Sequence, residues 1–248
     1  MGRVTGTIAG FDWTSAAGVL FDLDGVITPT AEIHEHAWGE LFSAYDYTED
    51  DYLRSIDGKP RYDGVRSFLA SRDLTLPEGS PDDPPGTTTV CALGNRKNAL
   101  FNEILERDGI APFPSSAATL DLLDRAAIPS AIVSSSKNAR TVLEAAGLGA
   151  RFDVVVDGVV AVDESIAGKP APDMFLHAAR LLGVAVADSV VVEDAVSGVA
   201  AGAAGGFGTV IGVDRGAGEA ALLAHGATFV VDDLAALLPH TGPKGGTP

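Results

Sequence analysis

The sequence predicts an α/β fold: a parallel sheet covered by helices on both faces, with a helical lobe inserted after the first strand. Six short runs rich in β-branched residues are spread along the 248 residues. Helical patterns lie between most of them, and strands alternating with helices imply right-handed crossovers and a parallel sheet. The alternation stops once, from about Ile33 to Ala111, where helical patterns follow one another and no convincing central strand occurs.

The first run is "GVLFDLDGVITPT" (Gly18–Thr30). The others are "SAIVSSS" (Ser130–Ser136), "FDVVVDG" (Phe152–Gly158), "SVVVED" (Ser189–Asp194), "GTVIGVD" (Gly208–Asp214) and "TFVVDD" (Thr228–Asp233). Between them, "SAATLDLLDRAA" has apolar residues at Leu120, Leu122, Leu123 and Ala127. "KNARTVLEAAGLG" ends on the stop signals Gly147 and Gly149, and "APDMFLHAARLLG" starts with Pro172 and Asp173 and stops at Gly183. In the insertion, "AEIHEHAWGELFSAYD", "YDGVRSFLASRD" and "RKNALFNEILERDG" read as helices around a turn region, "LPEGSPDDPPGTTT". The expected organisation is a core of residues 15–32 and 112–240, a helical cap of 33–111, and flexible tails over 1–14 and 241–248. The cap starts at the carboxyl end of a strand, the edge at which open parallel sheets bind ligands.

The net charge of −17 disfavours nucleic acid and anionic membranes as partners, since both need clustered cations. The single cysteine, Cys91, excludes a disulfide framework within the chain and fits a reducing compartment. Ala195–Val213 has no charge over 19 residues, but its Ala and Gly content suits a helix, turn and strand better than a membrane span. No secretory pattern opens the sequence, because Asp12 and Asp22 interrupt any apolar stretch. A soluble, cytoplasmic, monomeric protein is the expectation.

The first run raises a question. An Asp-Gly pair ends many strands, which accounts for Asp24 and Gly25. It leaves Asp22, between Phe21 and Leu23, as a carboxylate in an apolar run. Such a group is costly unless paired or bound to a cation. The run "SVVVEDAVSGV" repeats the pattern with Glu193 and Asp194. If the two strands are neighbours, these carboxylates crowd together, and hard oxygen ligands without His or Cys suit Mg²⁺. Ser134, Ser135 and Ser136 end another strand ahead of a helix, where hydroxyl and N–H groups hold phosphate oxygens. Lys169, in "AGKPAPDMF", supplies a point charge.

The order DxDG, Ser, Lys-Pro, Glu-Asp, each at a strand end, resembles the haloacid dehalogenase-like superfamily over nearly the whole chain. Its four motifs look like Asp22-Leu23-Asp24-Gly25-Val26, Ser134, Lys169 and Glu193-Asp194. The resemblance implies a Rossmann-like core with strand order 5-4-1-2-3 and a C1-type cap. A narrower resemblance is to the β-phosphoglucomutase family, in "DLDGVITPTAEIHEHAW" with Thr30, His34 and Trp38, and in "GNRKN", "SSSKN" and "AGKPAPDMF". Two departures stand out. Pro29 replaces an Asp, and "DGKPRYDGV" (Asp57–Val65) reshapes a segment carrying a Lys and an Arg, of which Arg61 keeps the Arg.

The resemblance implies that Asp22 is a nucleophile that becomes phosphorylated and that Asp24 is the general acid and base. Mg²⁺ would be held by Asp22, Glu193, Asp194 and the backbone carbonyl of Asp24. Arg61, Lys97, Ser135, Ser136, Lys137 and Asn138 are the candidates for gripping the distal phosphate and sugar, with Thr30, His34 and Trp38 beside them. The expected reaction converts β-D-glucose 1-phosphate to glucose 6-phosphate through the 1,6-bisphosphate. A phosphatase of small phosphorylated metabolites is the alternative, and a non-catalytic module on this fold is a third reading that the intact acidic set argues against.

Overall fold

The computed structural model describes residues 11–56 and 61–239. The chain divides into two compact units, one formed by the residues up to Pro29 with those from Ala111 on, the other by Thr30–Ile110.

The first unit holds six parallel strands: β1 (Val19–Phe21), β2 (Ser130–Val133), β3 (Val154–Val156), β4 (Val190–Glu193), β5 (Thr209–Val213) and β6 (Phe229–Val231). Their order is β3-β2-β1-β4-β5-β6. The expected order 5-4-1-2-3 is contained in it, and β6 extends the sheet beyond β5. All three residues of β1 are fully buried, as befits a central strand covered on both faces. Phe21 pairs in register with Ile132 on one side and Val192 on the other. One residue further on, Asp22, Val133 and Glu193 stand level at the carboxyl edge.

Helix Asp173–Leu182 lies on β1, β2 and β3 and buries Met174, Phe175, Ala178 and Ala179. It stops at Gly183, which takes the left-handed conformation that ends many helices. The uncharged stretch Ala195–Val213 resolves into helix Val196–Ala204, packed on β4 and β5, and strand β5 itself. Among the described residues no helix is long and apolar enough to cross a membrane. Helix Pro114–Ala126 packs on two short 3-10 turns, Trp13–Ser15 and Leu234–Leu237. Trp13 is buried there, and its indole N–H donates to the Leu237 carbonyl at 3.2 Å. Phe11 sits edge-on to Trp13 and Phe229. The expected flexible tail over 1–14 is therefore corrected from Phe11 to Thr14: two aromatic rings anchor it. Residues 241–248 lie outside the described residues.

In the second unit, helices Thr30–Leu41 and Arg61–Ser71 both pack on helix Val90–Asp108. Trp38, Phe42, Val65, Phe68 and Leu93 share one core, and no strand occurs among the unit's described residues. The first helix ends at Leu41, short of the expected Asp46, because a 3-10 turn at Ser43–Tyr45 leads into Asp46 at φ 50°. The third begins at Val90, earlier than "RKN". The Thr89 hydroxyl accepts the Ala92 N–H at 2.9 Å and so caps it. Asp57 and Lys59 fall outside the described residues.

Candidate active site

Asp22 follows β1 directly, and its N–H donates to the Val192 carbonyl of β4 at 2.9 Å. The sheet thus fixes the backbone of a carboxylate that is itself buried. Lys169 reaches it from the loop before helix Asp173–Leu182. Its Nζ donates to Asp22 Oδ1 at 2.5 Å, to Glu193 Oε1 at 2.7 Å and to the Val133 carbonyl at 2.8 Å. The ammonium has three protons and three acceptors are in place, so its direction is set. The ring of Phe175 lies 4.9 Å away.

Glu193 is spent inside the protein. Oε1 accepts from Lys169, and Oε2 accepts the Ala195 N–H at 2.8 Å. Space for this carboxylate depends on Gly198, where a Cβ would stand 1.6 Å from Oε1. Asp194 presses on the turn after β1 in the same way. A Cβ on Gly25 would stand 2.0 Å from Asp194 Oδ2, and Gly25 has φ +81°, a conformation that glycine alone adopts without strain. Both requirements make Asp24-Gly25 and the segment after Glu193 one interlocked surface.

Ser134, fully buried after β2, donates from Oγ to Asp24 Oδ2 at 3.3 Å and accepts the Ser136 N–H at 3.1 Å. Ser136 Oγ in turn accepts the Asn138 N–H. Ser135 and Lys137 are exposed, while Ser136 and Asn138 are half-buried. Asp157, at the end of β3 and buried, had no assigned role. Its carboxylate accepts the Val159 and Val160 N–H groups and caps the short helix Gly158–Asp163. The sequence signal was the Asp-Gly that follows an apolar run.

Burial pushes the Asp22 carboxyl well above its usual range. Lys169 opposes this, while Glu193, Asp24 and Asp194 push it further up. Asp194 is pushed up to about 8, by burial first and then by Glu193 and Asp24. Burial pulls the Lys169 ammonium down, yet Asp22 and Glu193 outweigh it and hold the pKa above its ordinary value. One ammonium stands against four carboxyl groups, and the upward shifts of Asp22 and Asp194 are part of the cost of that crowding; a hard divalent cation would relieve it and suits all-oxygen donors. Among the described residues, no group of three or more His, Cys, Asp or Glu side chains is arranged to hold a metal ion.

The remaining candidates lie in the helical unit. Lys97, buried on helix Val90–Asp108, places Nζ 2.5 Å from His34 Nδ1 and over the rings of Trp38 and Phe101 at 5.3 and 5.2 Å. His34 stacks on Phe101 with ring centroids 4.4 Å apart. Burial, then Lys97, then Arg61 lower its pKa to about 3, so the imidazole is neutral. Thr30 is buried at the start of its helix. Arg61 opens helix Arg61–Ser71 and lines a cavity of about 330 Å³ with Asp83, Asn95, Asn98 and Asn102. The structure therefore joins His34, Trp38 and Lys97 into one cluster, with Arg61 close enough to act on His34 through its charge.

A parallel sheet that carries this ordered set of Asp, Ser, Lys and Asp at its strand ends defines a class. Residues 16–206 match the haloacid dehalogenase-like hydrolase family, and the chain belongs to it. Among curated proteins it is 49% identical over 236 residues to a β-phosphoglucomutase of Mycobacterium bovis, covering 88% of this chain and 90% of that one. It is 33% identical over 191 residues to hexitol phosphatase A of Escherichia coli, covering 76% and 79%. Among solved structures, a β-phosphoglucomutase from Clostridium difficile aligns with a TM-score of 0.69 at 25% identity, over 90% of this chain and 93% of that one. The chain is thus an enzyme of the β-phosphoglucomutase-like kind.

Proposed function

We propose that the protein is a Mg²⁺-dependent, cytoplasmic phosphosugar mutase that converts β-D-glucose 1-phosphate to glucose 6-phosphate through the 1,6-bisphosphate. The observation that carries this reading is the geometry around Asp22 and Asp24. One carboxylate is fixed by the sheet and oriented by Lys169, and the other, two residues on, accepts a hydrogen bond from Ser134. The 49% identity to a β-phosphoglucomutase supports the choice of substrate.

An Asp22 oxygen attacks the phosphorus of the bisphosphate, and the bond from phosphorus to the sugar oxygen breaks. Asp24 gives its proton to that leaving oxygen and accepts one from the attacking hydroxyl in the return step. Lys169 keeps the attacking carboxylate turned toward the substrate while Glu193 holds Lys169. Asp22, Asp194 and the Asp24 carbonyl, with Glu193 beside them, would hold Mg²⁺, which supplies neutralising charge to the transferring phosphoryl group. The residues proposed to contact the distal phosphate and sugar are Ser135, Ser136, Lys137 and Asn138 in the sheet unit and Thr30, His34, Trp38, Arg61 and Lys97 in the helical unit.

The test is product analysis with β-glucose 1-phosphate, Mg²⁺ and a catalytic amount of glucose 1,6-bisphosphate. Glucose 6-phosphate should accumulate without stoichiometric release of inorganic phosphate. Release of phosphate alone favours the second reading, a small-metabolite phosphatase, which the similarity to hexitol phosphatase A supports. Arg61→Ala separates the two activities. A charge-assisted contact to the distal phosphate is worth about 1.5–3 kcal/mol, so mutase flux should fall roughly 10- to 150-fold. Hydrolysis of acetyl phosphate, which has no distal group, should be nearly unchanged. Parallel loss of both rates would remove Arg61 from the distal grip.

A further inference from the structure

We propose that Arg215 is a positioning residue for the catalytic turn: it clamps the Gly25 carbonyl and thereby fixes Asp24. The proposal rests on the reading of Asp22 and Asp24 as the reacting pair.

The turn Leu23–Thr28 is closed by its own backbone. Ile27 and Thr28 donate their N–H groups to the Leu23 carbonyl, and Gly25 donates to that of Thr28. The carbonyls that point outward are taken by side chains or backbone from elsewhere in the same unit. Ser116 Oγ donates to Val26 at 2.6 Å, the Phe113 N–H to Ile27 at 2.9 Å, and Arg215 Nε to Gly25 at 2.9 Å. Of these three donors only Arg215 carries charge, and its partner is the residue next to Asp24. Gly25 needs such a restraint. Its positive φ lies in a region where glycine moves easily, and no Cβ limits it.

Arg215 is itself anchored. It follows β5 in "GVDRGAG". The preceding Asp214 donates its N–H to the Val231 carbonyl and accepts the N–H groups of Gly216 and Gly218 at 2.9 and 3.0 Å. The guanidinium plane lies 4.0 Å over the ring of Phe113. Nη1 reaches the Asp232 carbonyl at 3.3 Å and Nη2 the Asp233 carboxylate at 3.5 Å. One group thus ties together β6, the turn after Asp24, and Phe113. The last two flank the points where the chain leaves this unit and returns to it. A planar fork does this and a lysine does not.

The variants that test it are R215Q and R215M. Gln carries an N–H at the position of Nε, whereas Met fills the same space without a donor. Acetyl phosphate and Mg²⁺ are the probes, with kcat referred to the folded fraction from thermal unfolding. A misplaced catalytic group costs roughly 10²-fold in rate, so R215M should lose about that much kcat at unchanged KM, and R215Q should recover most of it. Hydrogen exchange of residues 23–28 should accelerate in R215M and much less in R215Q. R215A replaces R215M as the donor-free variant if the latter fails to fold. Equal kcat and equal exchange in the Gln and donor-free variants would overturn the clamp, whether both match wild type or both fall. A wild-type enzyme that takes no phosphate onto Asp22 would instead overturn the catalytic reading, and the exchange data would still decide the clamp.

Discussion

Lys169 in the sheet unit and Lys97 in the helical unit both bury their side chains, and their surroundings differ in kind. Lys169 meets two carboxylates and a carbonyl. Lys97 stands against an imidazole and two aromatic rings. The first ammonium favours charge on Asp22, opposing the burial that would neutralise it. The second forbids charge on His34, adding to the burial that already disfavours it. With Nδ1 accepting from Lys97, the neutral ring carries its hydrogen on Nε2 and is a donor there. A buried cation is therefore not one device but two: beside an acid it preserves an anion, and beside a base it selects a tautomer.

The largest effect expected of any change to this pair of sites is at Asp22. Asp22→Asn keeps the volume but gives a poor nucleophile, so turnover and covalent phosphate on the protein should both vanish. Intact-mass measurement after acetyl phosphate treatment checks this, and phosphate still bound at a near-normal rate would reassign the nucleophile. Next comes Lys169→Met, which leaves two buried carboxylates without their cation. Breaking a buried pair costs about 3–5 kcal/mol. Lys97→Met removes a charge-assisted hydrogen bond to a neutral imidazole and ring contacts, about 1.5–3 kcal/mol, and leaves no opposite charge buried beside it. Urea unfolding in chelator compares them, and equal losses would break the contrast between the two lysines.

The pH dependence sharpens the contrast further. Asp194 has a folded pKa raised from 3.8 to about 8. Its stabilising contribution is present below the unfolded value and is lost as pH rises through the folded one. In chelator, stability should therefore decline as pH climbs toward 8. Mg²⁺ should abolish the decline, and Asp194→Asn should reduce it to the part that the raised Asp22 carboxyl carries. His34 behaves in reverse. Its folded pKa is lowered from 6.5 to about 3, so stability falls as pH drops through that window. His34→Gln should flatten that acid limb alone. Thermal unfolding across pH reads both. The smallest effect is spectroscopic: the His34 imidazole should show no titration near neutrality by NMR. Lys97→Met should move its midpoint upward without restoring the ordinary value, because burial, the larger cause, remains.

Much of this was legible in the sequence, for one physical reason. A parallel sheet demands apolar runs, so an acidic residue at the end of such a run stands out, and Asp22, Glu193 and Asp194 did. The helical unit was legible by its 3.6-residue spacing and its lack of β-branched runs. The pairing of Glu193 with Lys169 was not, because a carboxylate for a metal and one for an ammonium look alike in sequence. Arg215 and Trp13 were not legible either. Their partners, Gly25 and Leu237, lie 190 and 224 positions away along the chain. Neither residue type at a strand end or near a terminus announces such a partner. Helix limits shifted where a single hydroxyl, Thr89, moved a start.

The central place of β1 in the sheet has a consequence for the order in which the protein is made. β1 is synthesised first and pairs with β2 and β4. About 170 residues must follow it before β4 exists, some 9–34 s at ordinary rates of synthesis. The helical unit, by contrast, is one continuous stretch and is complete as soon as Ile110 emerges. The nascent chain thus presents a finished helical lobe behind an apolar strand that has no partner. During that interval Val19, Leu20 and Phe21 form an open edge, followed directly by the charges of Asp22 and Asp24.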